Sequence, residues 1–158
     1  LILTSPPYGD NHTTVSYGQY SVMPLRWIVC TDIDEAFDDK LLSTLYGIDN
    51  VSLGGKSTNQ SMTKKRKSVL LKSQTLKLQS EKIQSLAAKQ VNKLVAFYSD
   101  YDLFLSAISK RMKPNAVSVW TLGNRKIAKQ EIPMNNIMIE LCSHYQLSLV
   151  TSFNKKNY

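Results

Sequence analysis

Leu1-Ile2-Leu3-Thr4-Ser5-Pro6-Pro7-Tyr8 opens the chain with a short apolar run that ends in a doubled proline and an aromatic ring. Two consecutive prolines fix φ and donate no backbone N–H, and Pro7 pushes Pro6 into an extended conformation, so the carbonyls here are not consumed by a helix. The run before them reads as a buried strand. The turn after it then carries the Ser5 hydroxyl, the Ser5 or Pro6 carbonyl and the Tyr8 ring to the strand's carboxyl end, where open α/β sheets bind their ligands. Convergent acceptors beside a flat apolar face suit a planar base that bears an NH2 group. Pro-Pro-Tyr alone is equally an ordinary proline turn after a strand, so its neighbours decide between the two.

Those neighbours are Gly9-Asp10-Asn11 and Thr13-Thr14-Val15-Ser16-Tyr17-Gly18-Gln19-Tyr20-Ser21. Further on, Val117-Ser118-Val119-Trp120-Thr121-Leu122-Gly123-Asn124-Arg125 reads as a strand ending in a Gly-Asn-Arg turn, followed by Glu131-Ile132-Pro133-Met134, and Asn154-Lys155-Lys156 stands near the last residue. In this order the three blocks resemble the DNA amino-methyltransferases, whose active-site tetrapeptide is (S/N/D)-PP-(Y/F/W). Serine in its first position is closer to the cytosine-N4 group than to the adenine-N6 group, and adenine stays the alternative. The resemblance covers most of the chain, with the middle segment matching least. It implies S-adenosylmethionine as methyl donor, double-stranded DNA as substrate, and a part in restriction-modification. It also implies catalytic roles for Ser5, Pro6, Pro7 and Tyr8, with Gly9, Asp10, Tyr17, Asn124 and Arg125 on the substrate side and Thr4 and Ser5 toward the cofactor. The implied fold is α/β: the C-terminal part of a Rossmann-like class I methyltransferase fold, a mostly parallel sheet flanked by helices, with a long basic helical insertion.

One departure is as informative as the match. Enzymes of this kind hold S-adenosylmethionine with a glycine-rich turn, commonly F-x-G-x-G, and no such run occurs in this sequence. The paired glycines Gly54-Gly55 lie in Leu53-Gly54-Gly55-Lys56-Ser57, which resembles the end of a phosphate-binding loop, but Asn50 stands where its first glycine belongs. A hinge is the simpler expectation there. The chain begins at Leu1 inside an expected strand, so it reads as a piece of a larger protein whose cofactor-binding half is supplied in cis or in trans, the isolated fragment being inactive. A DNA-binding or subunit module without transfer activity is the other class of function these residues allow.

Composition narrows the remaining classes. With 158 residues and 42% hydrophobic content the chain can bury one core, and no apolar run is long enough to cross a membrane. Leu1 to Leu3 lacks the charge and length of a signal peptide. Cys30 and Cys142 have neither CxxC spacing nor histidine partners, which leaves two reduced thiols, no metal site and an expected cytoplasmic location. The glycosylation sequon Asn11-His12-Thr13 then carries no weight.

The net charge of +8 is concentrated: between Lys56 and Lys93 stand ten basic residues and one acid, Glu81, so the remainder of the chain is close to neutral. A block of this kind attracts a polyanion through counterion release. Lys64, Lys65, Arg66 and Lys67 are the candidate DNA-backbone contacts, expected on a mobile loop; a solvated helix face is the bland alternative. The acidic run Asp32, Asp34, Glu35, Asp38 and Asp39 reads as a solvated helix start.

On this basis the chain divides into a catalytic-motif region at 1–55, a basic loop and helical arm that contacts DNA at 56–93, and the rest of the α/β domain at 94–158. Ser5 to Ser21 is expected as an active-site loop, Pro24 to Cys30 at or before a helix start, Asp34 to Tyr46 as a helix and 47–68 as loop. Apolar spacing of three, four or seven predicts helix over 69–112, divided at Ser99-Asp100, with Leu94 to Met112 packing on the sheet. Ala116 to Leu122 is expected as a strand, Pro133 to Tyr145 as a helix and Leu147 to Phe153 as a strand. Asn124 and Arg125 either contact base or backbone or simply cap the next segment. His12 and His144 read as loop and helix-surface residues, Tyr17 and Tyr20 as lining the pocket or packing the loop, and Trp120 as core.

Overall fold

The computed structural model describes residues 1–6, 17–51, 59–123 and 125–153. Among them the two expected strands pair in parallel: β1 (Ile2–Thr4) lies beside β2 (Ser118–Trp120), with Ile2, Leu3 and Thr4 opposite Ser118, Val119 and Trp120. Backbone hydrogen bonds extend the ladder at both ends, from Ile2 N to the Val117 carbonyl and from Thr121 N to the Thr4 carbonyl, each 3.0 Å. The chain is therefore α/β, with helices around a small parallel sheet.

Between the two strands the helices depart from expectation in instructive ways. Helix α1 (Tyr17–Leu25) takes up the end of the expected loop, and Pro24 sits in its last turn instead of starting a helix. Where a helix is expected over Asp34 to Tyr46 stands a short 3₁₀ turn at Asp39–Leu42, with another at Cys30–Asp32 just before that stretch. Aspartate side chains explain this, because Asp34 accepts from Ala36 N and Asp38 from Lys40 N, both at 3.0 Å, which gives the backbone a local alternative to the helix. The stretch expected as loop over 47–68 instead contains α2 (Gly47–Val51) and α3 (Asn59–Lys72), so Lys64, Lys65, Arg66 and Lys67 stand on a helix. Lysine and arginine are good helix formers, and polarity alone had suggested loop.

Helix α4 (Gln74–Ser109) starts at Ser73, whose hydroxyl accepts from Leu76 N at 3.0 Å. It is not divided at Ser99-Asp100: the Ser99 hydroxyl donates to the Val95 carbonyl at 2.7 Å, the back-bond by which serine is tolerated inside a helix. The break lies at Ala87, the one residue with non-helical angles (φ −157°, ψ 72°). Two contacts fix what this break does. Arg66 reaches Asn92 and Lys72 reaches Asp102, so α3 and the second part of α4 run in the same direction. At about 1.5 Å per residue, Gln74 to Leu86 covers about 18 Å and Ala88 to Asp102 about 21 Å. Those lengths close only if the chain doubles back at Ala87, making α3 and the two parts of α4 an antiparallel three-helix bundle.

The core of the molecule is in this bundle and the helix that caps it. Val69, Leu76, Ile83, Val91, Leu94, Tyr98 and Leu105 are buried with Ile137 and Leu141 from α5 (Met134–His144), the helix expected over Pro133 to Tyr145. The second part of α4 thus packs on α3 and α5 and meets the sheet through Trp120, whose ring lies 6.0 Å from those of Tyr101 and Phe104. Leu86, expected inside, is 56% exposed. A hairpin of β3 (Arg125–Ile127) and β4 (Gln130–Ile132) precedes α5. Its turn has Ala128 and Lys129 at φ 49° and 63°, the angles of a type I′ turn without the usual asparagine or glycine, so nothing in the sequence announced it. Residues 147–153, expected as a strand, join no ladder among the described residues and leave Leu149, Val150 and Phe153 exposed.

Candidate functional site

Pairing of Thr4 with Trp120 fixes the direction in which the chain leaves β1. Ser5 is exposed at the strand's carboxyl end and Pro6 half-buried. Because β1 and β2 are parallel, residues 121–123, which lead to Asn124 and Arg125, depart from the same edge as Ser5. Arg125 then opens β3. Pro7, Tyr8, Gly9, Asp10, His12 and Asn124 lie outside the described residues.

The segment that follows Pro6 is anchored again where α1 begins. Gly18 N donates to Asp49 Oδ1 at 2.8 Å, tying the first turn of α1, which Tyr17 opens, to α2. A carboxylate here meets the unpaired N–H groups and the positive end of the helix. The approach requires glycine, since a Cβ on Gly18 would stand 2.9 Å from the Asp49 carboxylate and its backbone nitrogen. Gly47 serves the same purpose one step further out, where a Cβ would overlap the Leu41 carbonyl oxygen. The β1–β2 ladder thus holds one end of the candidate loop and the Asp49 cap holds the other. Sequence reading gave Asp49 and the two glycines no role in this tie, and no spacing could have joined residues 31 apart.

The basic residues fall into two electrostatic classes. Lys72 Nζ lies 2.6 Å from Asp102 Oδ2 and 2.8 Å from Tyr145 Oη, and the Tyr145 hydroxyl in turn donates to Asp102 Oδ1 at 2.7 Å. Burial lowers the Lys72 pKa, but its bonds to Asp102 and Tyr145 outweigh burial and hold the ammonium above its ordinary value. Its charge is consumed inside the fold. Arg66, by contrast, donates through Nη1 to the uncharged Asn92 Oδ1 at 2.9 Å, and Lys64 and Lys67 are exposed. These keep their positive charge available.

A second polar cluster fastens the bundle at its Ser73 end. Glu140 Oε2 accepts from the Ser73 hydroxyl at 2.5 Å and from Thr75 N at 3.0 Å, and Oε1 accepts from the Thr75 hydroxyl. Burial alone would raise the Glu140 pKa; these donors outweigh it and hold the carboxyl below its usual range. The Cys142 thiol is pushed up to about 11 by burial. Trp120 is half-buried and its Nε1 donates to the Ser118 hydroxyl at 2.9 Å. His144 is exposed on α5 and Tyr20 on α1. Among the described residues no three of His, Cys, Asp and Glu converge as a metal site, and no helix is long and apolar enough to cross a membrane.

Over 156 residues, 99% of its length, the chain is 33% identical to the Type II methyltransferase M.MvaI of Kocuria varians. It spans about a third of the length of that relative, 33%. No family model matches the chain, and no solved structure matches it.

Proposed function

We propose that the chain is the catalytic-motif part of an S-adenosylmethionine-dependent, site-specific DNA methyltransferase that modifies the exocyclic amino group of a flipped base, cytosine N4 before adenine N6. One observation carries this reading: Ser5-Pro6-Pro7-Tyr8 follows the carboxyl end of a parallel strand, in a chain similar over 99% of its length to a methyltransferase. A Rossmann-like class I fold, the division into 1–55, 56–93 and 94–158 and a cytoplasmic location belong to the same proposal.

An amino group inside a duplex is out of reach, so the nucleotide has to leave the stack at a cost of a few kcal/mol. Tyr8 offsets much of that by stacking, worth about 1–3 kcal/mol per base, with Gly9, Asp10, Tyr17, Asn124 and Arg125 around the base. The exocyclic nitrogen is a poor nucleophile because its lone pair is delocalised into the ring. Its N–H groups donate to the Ser5 hydroxyl and the Pro6 carbonyl, and these bonds strengthen as the nitrogen becomes tetrahedral, which is where they accelerate transfer. Pro7 holds the acceptors in place before the base arrives. Thr4 and Ser5 fit one side of a cofactor site, while the glycine-rich turn is not in this sequence. When bound, S-adenosylmethionine supplies the electrophilic methyl group.

The outer face of the β1–β2 pair also fits a second reading, in which the chain is a DNA-binding or subunit module without transfer activity that docks on another protein through this face. Leu1, Leu3, Val117 and Val119 are exposed there, although parallel sheets are normally covered on both faces. Methylation of duplex DNA by this segment joined to, or mixed with, a partner that carries the glycine turn tests both. The first reading expects transfer, with Tyr8→Ala lowering it by at least about fivefold, the loss of one stacked base. Nucleoside analysis of the product distinguishes N4-methylcytosine from N6-methyladenine. DNA binding without modification in the joined protein overturns the first reading and leaves the second.

A further inference from the structure

Folding gathers the positive charge of the basic block at one end of the three-helix bundle. At about 1.5 Å per residue, Lys82 lies about 7 Å and Lys93 about 9 Å from the reversal at Ala87. The Arg66–Asn92 bond brings α3 to that same level. Lys64, Lys82 and Lys93 are all exposed, and none of them forms an ion pair with a described residue. Three helical segments therefore present their cations together. At the opposite end Lys72 is neutralised by Asp102, and Ser73, Thr75 and Glu140 make up a polar cluster closed on itself. Lys77 stands near that end, three residues after the start of α4, and the exposed Lys110 follows the last residue of α4, beyond Asp102.

This distribution cannot be read from the sequence, where Lys72, Lys77, Lys82 and Lys93 are equivalent members of one basic block. We propose that the Ala87 end of the bundle is the surface on which the phosphate backbone of duplex DNA lies, with Lys82 and Lys93 contacting phosphates alongside Lys64 and Arg66. The inference rests on the DNA-modifying reading and goes beyond it by excluding Lys72 and Lys77 from the interface. Cations brought to one level from three helices raise the local potential more than the same number spread along one helix. Arg66 suits the role because its partner is an amide, which orients the guanidinium without neutralising it. Such contacts set position on the duplex and carry no sequence information.

The experiment compares two double variants with equal loss of charge, Lys82→Gln/Lys93→Gln and Lys77→Gln/Lys110→Gln, in the intact protein. Fluorescence anisotropy with a labelled duplex is followed across a NaCl titration. The first pair is expected to reduce the slope of log K against log salt by about 2, at about 0.9 per phosphate contact, and to weaken binding on the order of tenfold. The second pair is expected to leave the slope unchanged within about 0.3 and binding within about threefold. Equal effects from the two pairs, or no effect from the first, overturn the placement while duplex binding by the unmodified protein stands. Failure of the unmodified protein to bind duplex overturns the DNA-modifying reading, and the placement with it.

Discussion

Around α3, α4 and α5 the chain closes on itself, whereas around β1 and β2 it stays open. In the helical part, Val69, Leu76, Leu94, Leu105, Ile137 and Leu141 are wholly buried, and two polar clusters fasten three helices to one another. In the strand-bearing part, Leu1 is 92% and Leu3 75% exposed on a sheet of two strands. A pair of three-residue strands contributes little stability by itself, and a parallel pair normally needs cover on both faces. The candidate catalytic turn is therefore carried by the less covered region, and the candidate DNA surface by the self-sufficient one. Under the proposed function, rigidity of the base pocket would depend on what covers the outer face of β1 and β2.

The largest effect should come from breaking the polar tie of the bundle. Asp102→Ala leaves Lys72 and Tyr145 facing an apolar site without the carboxylate, and removing one partner of such a buried pair costs about 3–5 kcal/mol. Denaturant unfolding should show a loss near the lower figure, because Lys72 keeps 17% of its side chain exposed. The paired replacement Lys72→Met/Asp102→Leu should recover most of it, since a buried pair exchanged for apolar side chains is often neutral. Failure of the double variant to recover would mean that the tie itself, beyond its compensation, holds α3 on the bundle.

A smaller and more local loss is expected at the other region. Gly47→Ala forces a methyl group onto the Leu41 carbonyl and should cost about 1–3 kcal/mol, the range for overpacking. The contrast between the regions predicts where it appears. Hydrogen exchange should accelerate over 17–51 and remain unchanged over 91–105; acceleration in both would show that the two regions unfold as one unit.

The pH dependence of the helical region follows from its two clusters. Glu140 has a folded pKa below its ordinary value of 4.5, so its contribution is present above that value and is lost as pH falls through the lowered one. Lys72 has a folded pKa above its ordinary 10.5, so its contribution is present below that value and lost as pH rises through the raised one. Stability should be level across neutral pH and fall at both extremes. Glu140→Gln should lower it by about 1 kcal/mol at pH 7, the scale of a charge-assisted bond weakened but not removed, and should flatten the acid limb.

What the sequence disclosed followed the same regional division. Apolar periodicity found the buried face from Leu76 through Leu105, and the doubled proline and the Val117 to Leu122 run marked the two strands before their pairing was known. The reversal at Ala87 was not legible, because alanine is the best helix former and nothing in its side chain announces a break. Ser99-Asp100 looked like a cap and is interior, since the Val95 carbonyl takes the hydroxyl that would otherwise have competed with the backbone. At the site, Ser5 and Pro6 became candidates through local chemistry together with the resemblance of the neighbouring blocks, whereas Asp49, which ties α1 to α2, depends on a contact across 31 residues that no local pattern encodes. Sorting the lysines into neutralised and available required the fold, because Asp102 is 30 residues from the Lys72 it compensates.

The smallest effect on the chain itself bears most directly on the open region. Leu3→Ser/Val119→Ser replaces two side chains that are 75% and 46% exposed, so little apolar surface returns to water and stability should shift by no more than about 0.5 kcal/mol. If a cofactor-binding half lies on this face, the same two serines remove apolar burial from the junction, at about 25 cal/mol per Å². Methyl transfer by a mixture of the two parts should then fall and be restored by raising the partner's concentration, because a weakened association shifts with mass action whereas a damaged pocket does not. Transfer that stays low at saturating partner would place the damage in the pocket and not in the cover. A large loss of stability in the isolated chain would show instead that the face is already buried within it, which would erase the contrast between the two regions.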